Sequence, residues 1–214
     1  MIYTYGKPSH TDRRTPDAWT PAAKSQGADT YDFTGTYPDN RSILLTVAAH
    51  GENLRGVELG LYQAASFCTM LQVCTNVDEL IGVDKWEPYE DRISGGSMVR
   101  DQKQIEFIRN TAINYIMWSG CADRATILEM DTVEAAAEYD DESMDFVFFD
   151  AHLSQQQLED EMTAWYPKIK QGGLVIGHDH HTQATRHGVL SFRLKNDITT
   201  PYYNYDMTFI WKKA

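Results

Sequence analysis

The chain has 214 residues, 42% hydrophobic and 12% aromatic, which supports one packed α/β domain and excludes a disordered chain. Nineteen Lys and Arg against 31 Asp and Glu leave a formal charge of -12, so the surface repels phosphate backbones and nucleic acid is not the expected partner. No apolar run approaches the ~20 residues of a membrane helix, and the first residues lack a basic stretch followed by an apolar core.

Residues 1–42, rich in Pro, Thr, Asp, Gly and Tyr and without a sustained period, read as an irregular N-terminal arm, and residues 43–214 as one domain. Ile43, Leu44, Val47 and Ala48 share a helical face. Residues 56–59 read as a strand, and Phe67, Met70, Leu71 and Cys74 then fall at i, i+3, i+4 and i+7 of a helix. Residues 80–83 are the second strand; Ile105, Ile108, Ala112 and Ile116 stripe the next helix; residues 126–130 are the third strand. Asp131-x-x-Glu134 has capping-box spacing and opens a helix expected to reach Tyr139. Residues 145–149 carry four consecutive large apolar side chains and form the clearest strand. Ser154-x-x-Gln157 caps a helix with Leu158, Met162 and Trp165 on one face, stopped by Pro167. Gly172-Gly173 turns into a fifth strand at 174–177, followed by a helix near 189–194 and a last strand at 207–212. Short apolar runs alternating with amphipathic stretches predict a parallel sheet covered by helices on both faces. Cys68, Cys74 and Cys121 form no C-x-x-C pair and are expected as reduced thiols in a cytoplasmic protein.

In such a sheet, ligands bind beyond the carboxyl ends of the strands, where strand order reverses. After the first strand, Gly60 lets the backbone approach a ligand, and the following helix offers free amides. The G-x-G-x-x-G of a dinucleotide site is absent, which disfavours a nicotinamide-dependent oxidoreductase. Glu58 is placed to meet an ammonium group rather than a phosphate. Asp84, after the second strand, can accept both hydroxyls of a ribose or act as an ordinary helix cap or surface acid. Asp131 can accept from an adenine amino group or serve as a helix cap. Asp150 and Asp179, at the ends of the fourth and fifth strands, can hold a hard divalent cation together with His180, while Asp150 alone can equally bind cofactor or cap a helix. The cluster His178, Asp179, His180, His181 also supplies candidate bases.

These positions together resemble the class I S-adenosylmethionine-dependent methyltransferases, in particular their catechol O-methyltransferase-like and macrocin O-methyltransferase-like branches. The resemblance spans residues 56–212 and rests on E-L-G-x-Y-x-x-x-S at 58–66, G-V-D at 82–84, D-F-V-F-F-D-A-H at 145–152 and W-Y-P-K-I-K-Q-G-G-L-V-I-G-H-D at 165–179. It implies a Rossmann-like, seven-stranded, mostly parallel sheet with an antiparallel C-terminal strand. It implies that Glu58, Gly60, Tyr62 and Ser66 hold the methionine moiety, that Asp84 binds the ribose, and that Met130 and Asp131 lie along the adenine. In metal-using relatives Asp150 and Asp179 correspond to cation ligands, Mg or similar, with a third, usually Asn, Asp or Glu, where His180 stands.

Three departures accompany the resemblance. Ala64 replaces the glycine usual at the helix start. Leu153 replaces the lysine base of catechol-type enzymes, which argues against a catechol acceptor. His180 is a softer ligand than the usual oxygen donor. The expected activity is O-methylation of a small hydroxylated molecule with S-adenosylmethionine, with His181 or His152 as proton acceptor and a divalent cation as an aid. The alternatives are a non-catalytic S-adenosylmethionine-binding module and, on the related fold, a dinucleotide-dependent oxidoreductase. Neither a membrane nor a nucleic acid is an expected partner, and a homo-oligomer is compatible with the sequence.

Overall fold

The structure, a computed structural model, describes residues 2–4, 41–91, 98–151, 154–205 and 207–214. Strand β1 (Ile2–Thr4) is followed by α1 (Arg41–Ala48), β2 (Leu54–Leu59), α2 (Ala65–Val73) and β3 (Val77–Val83). A short hairpin, β4 (Tyr89–Asp91) and β5 (Met98–Arg100), precedes α3 (Gln102–Trp118) and β6 (Ala125–Leu128). Then come α4 (Thr132–Ala135), β7 (Met144–Phe149), α5 (Gln155–Trp165), β8 (Ile169–Gly177) and α6 (Gln183–Lys195), with β9 (Tyr202–Tyr205) and β10 (Thr208–Lys212) last.

The sheet runs β1-β6-β3-β2-β7-β8-β10-β9. The five strands from β6 to β8 are parallel, and β1, β10 and β9 pair antiparallel. This is the expected doubly wound sheet with an antiparallel C-terminal end. It has eight strands rather than seven, because Ile2–Thr4, inside the span read as an irregular arm, pairs with β6. The rest of that span, 5–40, lies outside the described residues.

The period of two along a strand explains the unbroken apolar run of β7. Phe146 and Phe148 enter the layer formed with α1, α2 and α3, where Ile105, Ile108, Ala112 and Ile116 present the expected stripe. Val147 and Phe149 enter the opposite layer, against Leu158, Met162 and Trp165 of α5 and Val189 and Phe192 of α6. The caps follow the sequence signals: Asp131 accepts from the amides of Val133 and Glu134, and Ser154 from Gln157. The helix after Asp131 is shorter than expected, since α4 gives way to a 3-10 turn at Ala136–Glu138. A full capping box at Asp101 and Gln104 starts α3. Cys68 and Cys74 are buried and Cys121 half-buried, all as free thiols. Among the described residues no helix is long and apolar enough to cross a membrane.

Candidate active site

The strand order reverses between β2 and β7, and the hydrogen-bond ladder continues beyond their ends. The amide of Gly60 donates to Val83, that of Asp150 to Leu59 and that of His178 to Phe149, at 2.8 to 3.1 Å. The residues following β2, β3, β7 and β8 are therefore drawn to one crevice. A cavity of about 440 Å³ opens there.

Gly60 is the reason the crevice can close. Its φ is +87, and a Cβ there would lie 2.6 to 2.7 Å from backbone atoms of Asp150 and Ala151. Tyr62 and Ala64 are also left-handed, with φ of 49 and 61, so Ala64 takes the strained conformation that a glycine would adopt freely. The turn is tied to β3 by Asp84, whose Oδ2 accepts from the amides of Leu61 and Tyr62, both at 2.9 Å. Asp84 Oδ1 accepts from the Trp86 amide at 2.8 Å. Burial raises the Asp84 carboxyl above its ordinary value, opposed by these three amides and by Lys85. The Trp86 indole N–H donates to the Tyr62 carbonyl at 3.0 Å, and Arg109 lies over the ring while binding both oxygens of Glu129.

Glu58 is wholly buried and reaches the cavity through Ser66, whose hydroxyl donates to Glu58 Oε1. Burial pushes its carboxyl well up, and neighbouring Asp150 pushes the same way. Its Oε2 has no hydrogen-bond partner among the described residues. Asp131, Thr132 and Val133 form another part of the wall, with Lys85 Nζ 3.7 Å from Asp131. Met130 turns into the core layer of α5 and α6 instead of lining the cavity. Behind that wall, buried Glu161 accepts from the Thr132 hydroxyl at 2.8 Å and from Gln157 Nε2 at 3.1 Å. This network carries no sequence signal beyond an acid on the apolar face of a helix.

The polar end of the cavity corrects the sequence reading of the metal ligands. His178 Nδ1 lies 3.6 Å from Asp150 and 3.2 Å from Asp179, and one ligand atom of each of these three residues falls within 4.8 Å of the others. His180 is not with them. Successive residues diverge at the strand end, and the His180 ring turns inward against Tyr202 and Phe209, at 5.9 and 6.0 Å, while its amide donates to Met207. Burial lowers its pKa, and Arg186 adds to this. His181 is exposed, with Nδ1 3.8 Å from Asp179, and it does not line the cavity. His152 and Leu153 lie outside the described residues. Asp150 carries a carboxyl raised to about 7 by burial, with His178 lowering it and Asp179 and Glu161 raising it.

The donor set fits a divalent cation. Neighbouring ligands around an ion with bonds of ~2.1 Å stand roughly 3 Å apart, close to the two separations from His178. Two carboxylates and one imidazole suit a hard or borderline ion.

A family profile described as a methyltransferase domain matches residues 57–180. Among solved structures, the O-methyltransferase TomG of Streptomyces achromogenes, from tomaymycin synthesis and in complex with S-adenosylmethionine, is 14% identical with a TM-score of 0.61. The match covers 94% of this chain and 92% of that one. A SAM-dependent O-methyltransferase of Thermotoga maritima is 15% identical with a TM-score of 0.56, covering 84% of this chain and 66% of that one. Precorrin 8w decarboxylase of Methanobacterium thermoautotrophicum is also 15% identical, with a TM-score of 0.57, covering 84% and 92%. At these identities the likeness shows a shared fold. Comparison with curated protein sequences gives no match.

Proposed function

The chain belongs to the methyltransferase-domain family, and from that premise we propose that it transfers the methyl group of S-adenosylmethionine to an oxygen of a small hydroxylated molecule. The observation that carries the reading is the convergence of Gly60, Ser66, Asp84, Asp131 and Asp150 on one cavity at the point where strand order reverses. The O-methyltransferases among the structural relatives, TomG and the Thermotoga protein, favour oxygen as the acceptor atom.

The sulfonium methyl is already electrophilic, so the protein's work is placement and management of one proton. In the proposed reaction the acceptor oxygen attacks the methyl carbon, the carbon–sulfur bond breaks, and the thioether S-adenosylhomocysteine leaves. Glu58, through Ser66, and Asp150 place carboxyls beside the cationic cofactor, whose charge favours their ionised forms against the upward push of burial. Asp131 and Thr132 bound the adenine end, and Asp84 takes the ribose. Asp150, His178 and Asp179 would hold a divalent cation, which, when bound, supplies acidity to an acceptor hydroxyl. His181, at the rim beside Asp179, takes the released proton to solvent.

Calorimetry with S-adenosylhomocysteine tests the reading: Asp84→Ala and Glu58→Ala should each bind at least ~10-fold more weakly, since the first removes an acceptor from the cavity wall and the second the group that orients Ser66. Unchanged affinity in both overturns it. Turnover of hydroxylated acceptors with labelled cofactor separates an enzyme from a non-catalytic binding module. A rise in Tm with a nicotinamide cofactor would favour the oxidoreductase instead.

A further inference from the structure

The cofactor reading above gives Asp84 a ribose, and a carboxylate with both oxygens available takes one hydroxyl on each. Asp84 does not have both available. Its Oδ2 accepts two amides, Leu61 and Tyr62, each at 2.9 Å, and an oxygen with two lone pairs is then filled. Its Oδ1 accepts one, from Trp86 at 2.8 Å, which among the described residues leaves a single acceptor position on the group. Releasing Oδ2 would strand two amides in the cavity wall, so the arrangement resists change.

Trp86 adds a second restraint. Its φ of 43 lies in the left-handed region that bulky residues rarely adopt. Three contacts hold it there: its own amide on Asp84, its indole N–H on the Tyr62 carbonyl at 3.0 Å, and Arg109 at 5.9 Å over the ring. Arg109 is itself fixed by two bonds to Glu129, at 2.9 and 2.7 Å. A strained residue over-determined from three sides, at the wall of a ligand cavity, is where a fold stores a functional constraint.

We propose that Asp84 reads a single ribose hydroxyl, through Oδ1, and that Trp86 is the positioning residue that keeps Oδ2 committed to the Leu61–Tyr62 turn. The other hydroxyl is left to a different group or to water. Cofactor recognition is then lopsided: one hydroxyl is held by a charge-assisted bond and its neighbour is not.

The test is calorimetric binding of S-adenosylhomocysteine and its 2′-deoxy and 3′-deoxy analogues to the wild-type protein and to Asp84→Asn. Asparagine keeps one acceptor for the loop amides and replaces the other oxygen with a donor; Asp84→Ala serves if that variant does not fold. Loss of one hydroxyl should weaken wild-type binding by about 10-fold or more, and that penalty should shrink below about 3-fold in the variant. The penalty for the other hydroxyl should be the same in both proteins. If both penalties shrink together, both oxygens hold the ribose and the proposal fails; if neither does, Asp84 does not bind it. Trp86→Phe keeps a ring and deletes the N–H. It should narrow the gap between the two penalties, and an unchanged gap removes Trp86 from this role. Failure of S-adenosylhomocysteine to bind the wild-type protein would instead overturn the cofactor reading itself.

Discussion

The Thr132 hydroxyl donates to Oε1 of Glu161 at 2.8 Å, in a layer where Glu161 has no exposed surface. Trp165 Nε1 holds the Thr132 carbonyl at 2.7 Å, so the start of α4 is fixed from both sides by α5. Burial raises the Glu161 carboxyl from 4.5 to about 7, offset in part by the Thr132 and Gln157 hydrogen bonds. The folded state therefore binds this proton more tightly than the unfolded chain. Below about pH 4.5 both states keep it and the group costs little. Between 4.5 and 7 the unfolded chain releases it first, so stability falls as pH rises; above 7 the full cost remains. Glu161→Gln should gain on the wild type across that window, by on the order of 2–3 kcal/mol at pH 8 relative to pH 4.5. Urea unfolding at the two pH values measures it, and a difference that does not change with pH would refute the assignment.

The two histidines flanking Asp179 should behave oppositely toward a divalent cation. His178 faces both aspartates, whereas His180 packs on Tyr202 and Phe209. Titration with Mn(II), followed by the resonance of the free ion, should show His178→Ala weakening the site by about 10-fold or more. His180→Phe, which preserves a ring in the aromatic box, should stay within about 3-fold of wild type. The reverse ranking would restore His180 as the ligand.

Ala64 stands left-handed at the N-cap of α2, fully buried, with φ of 61. A methyl-bearing residue pays roughly 1–2 kcal/mol for that conformation, while glycine pays in unfolded-state entropy and in the lost burial of one methyl. The terms nearly offset, and the strain is the larger. Ala64→Gly should raise Tm by a degree or two for a chain of this size, and a fall in Tm would show that the methyl's packing outweighs the strain.

The fold was legible because its signals are local. Phe146, Val147, Phe148 and Phe149 declare a strand buried on both faces, and Asp131 and Ser154 announce their helices by spacing alone. Strand ends predict where Gly60, Asp84 and Asp150 stand, and these three line one cavity, with Asp179 beside it at 3.2 Å from His178. The direction of a side chain after a strand end depends on one φ angle, and the left-handed Asp179, φ 56, follows no spacing rule. His178, and not His180, therefore stands beside the two aspartates. The occupation of Asp84 Oδ2 by two loop amides was equally hidden, since it depends on two strands being in register. Tyr89–Asp91 and Met98–Arg100 pair as a hairpin with no strong alternation to reveal it.

Gly60→Ala is the substitution that should most sharply separate fold from site. A Cβ would come within 2.7 Å of the Ala151 amide nitrogen and the Asp150 carbonyl oxygen, and these are backbone atoms that no rotamer change can move aside. The left-handed φ of +87 adds conformational strain of roughly 1–2 kcal/mol. Relief requires the turn after β2 to move away from the end of β7. That motion pulls on the Gly60 amide bonded to Val83 and on the Leu61 and Tyr62 amides bonded to Asp84. The sheet interior below, with Val57 and Leu59 fully buried, has no reason to change. The expected outcome is a folded protein destabilised by about 2–4 kcal/mol with S-adenosylhomocysteine binding reduced at least ~30-fold. Far-ultraviolet circular dichroism, urea unfolding and calorimetry on the same preparation measure the three quantities. Wild-type affinity in a folded Gly60→Ala protein would mean that the β2 turn is not part of the cofactor site.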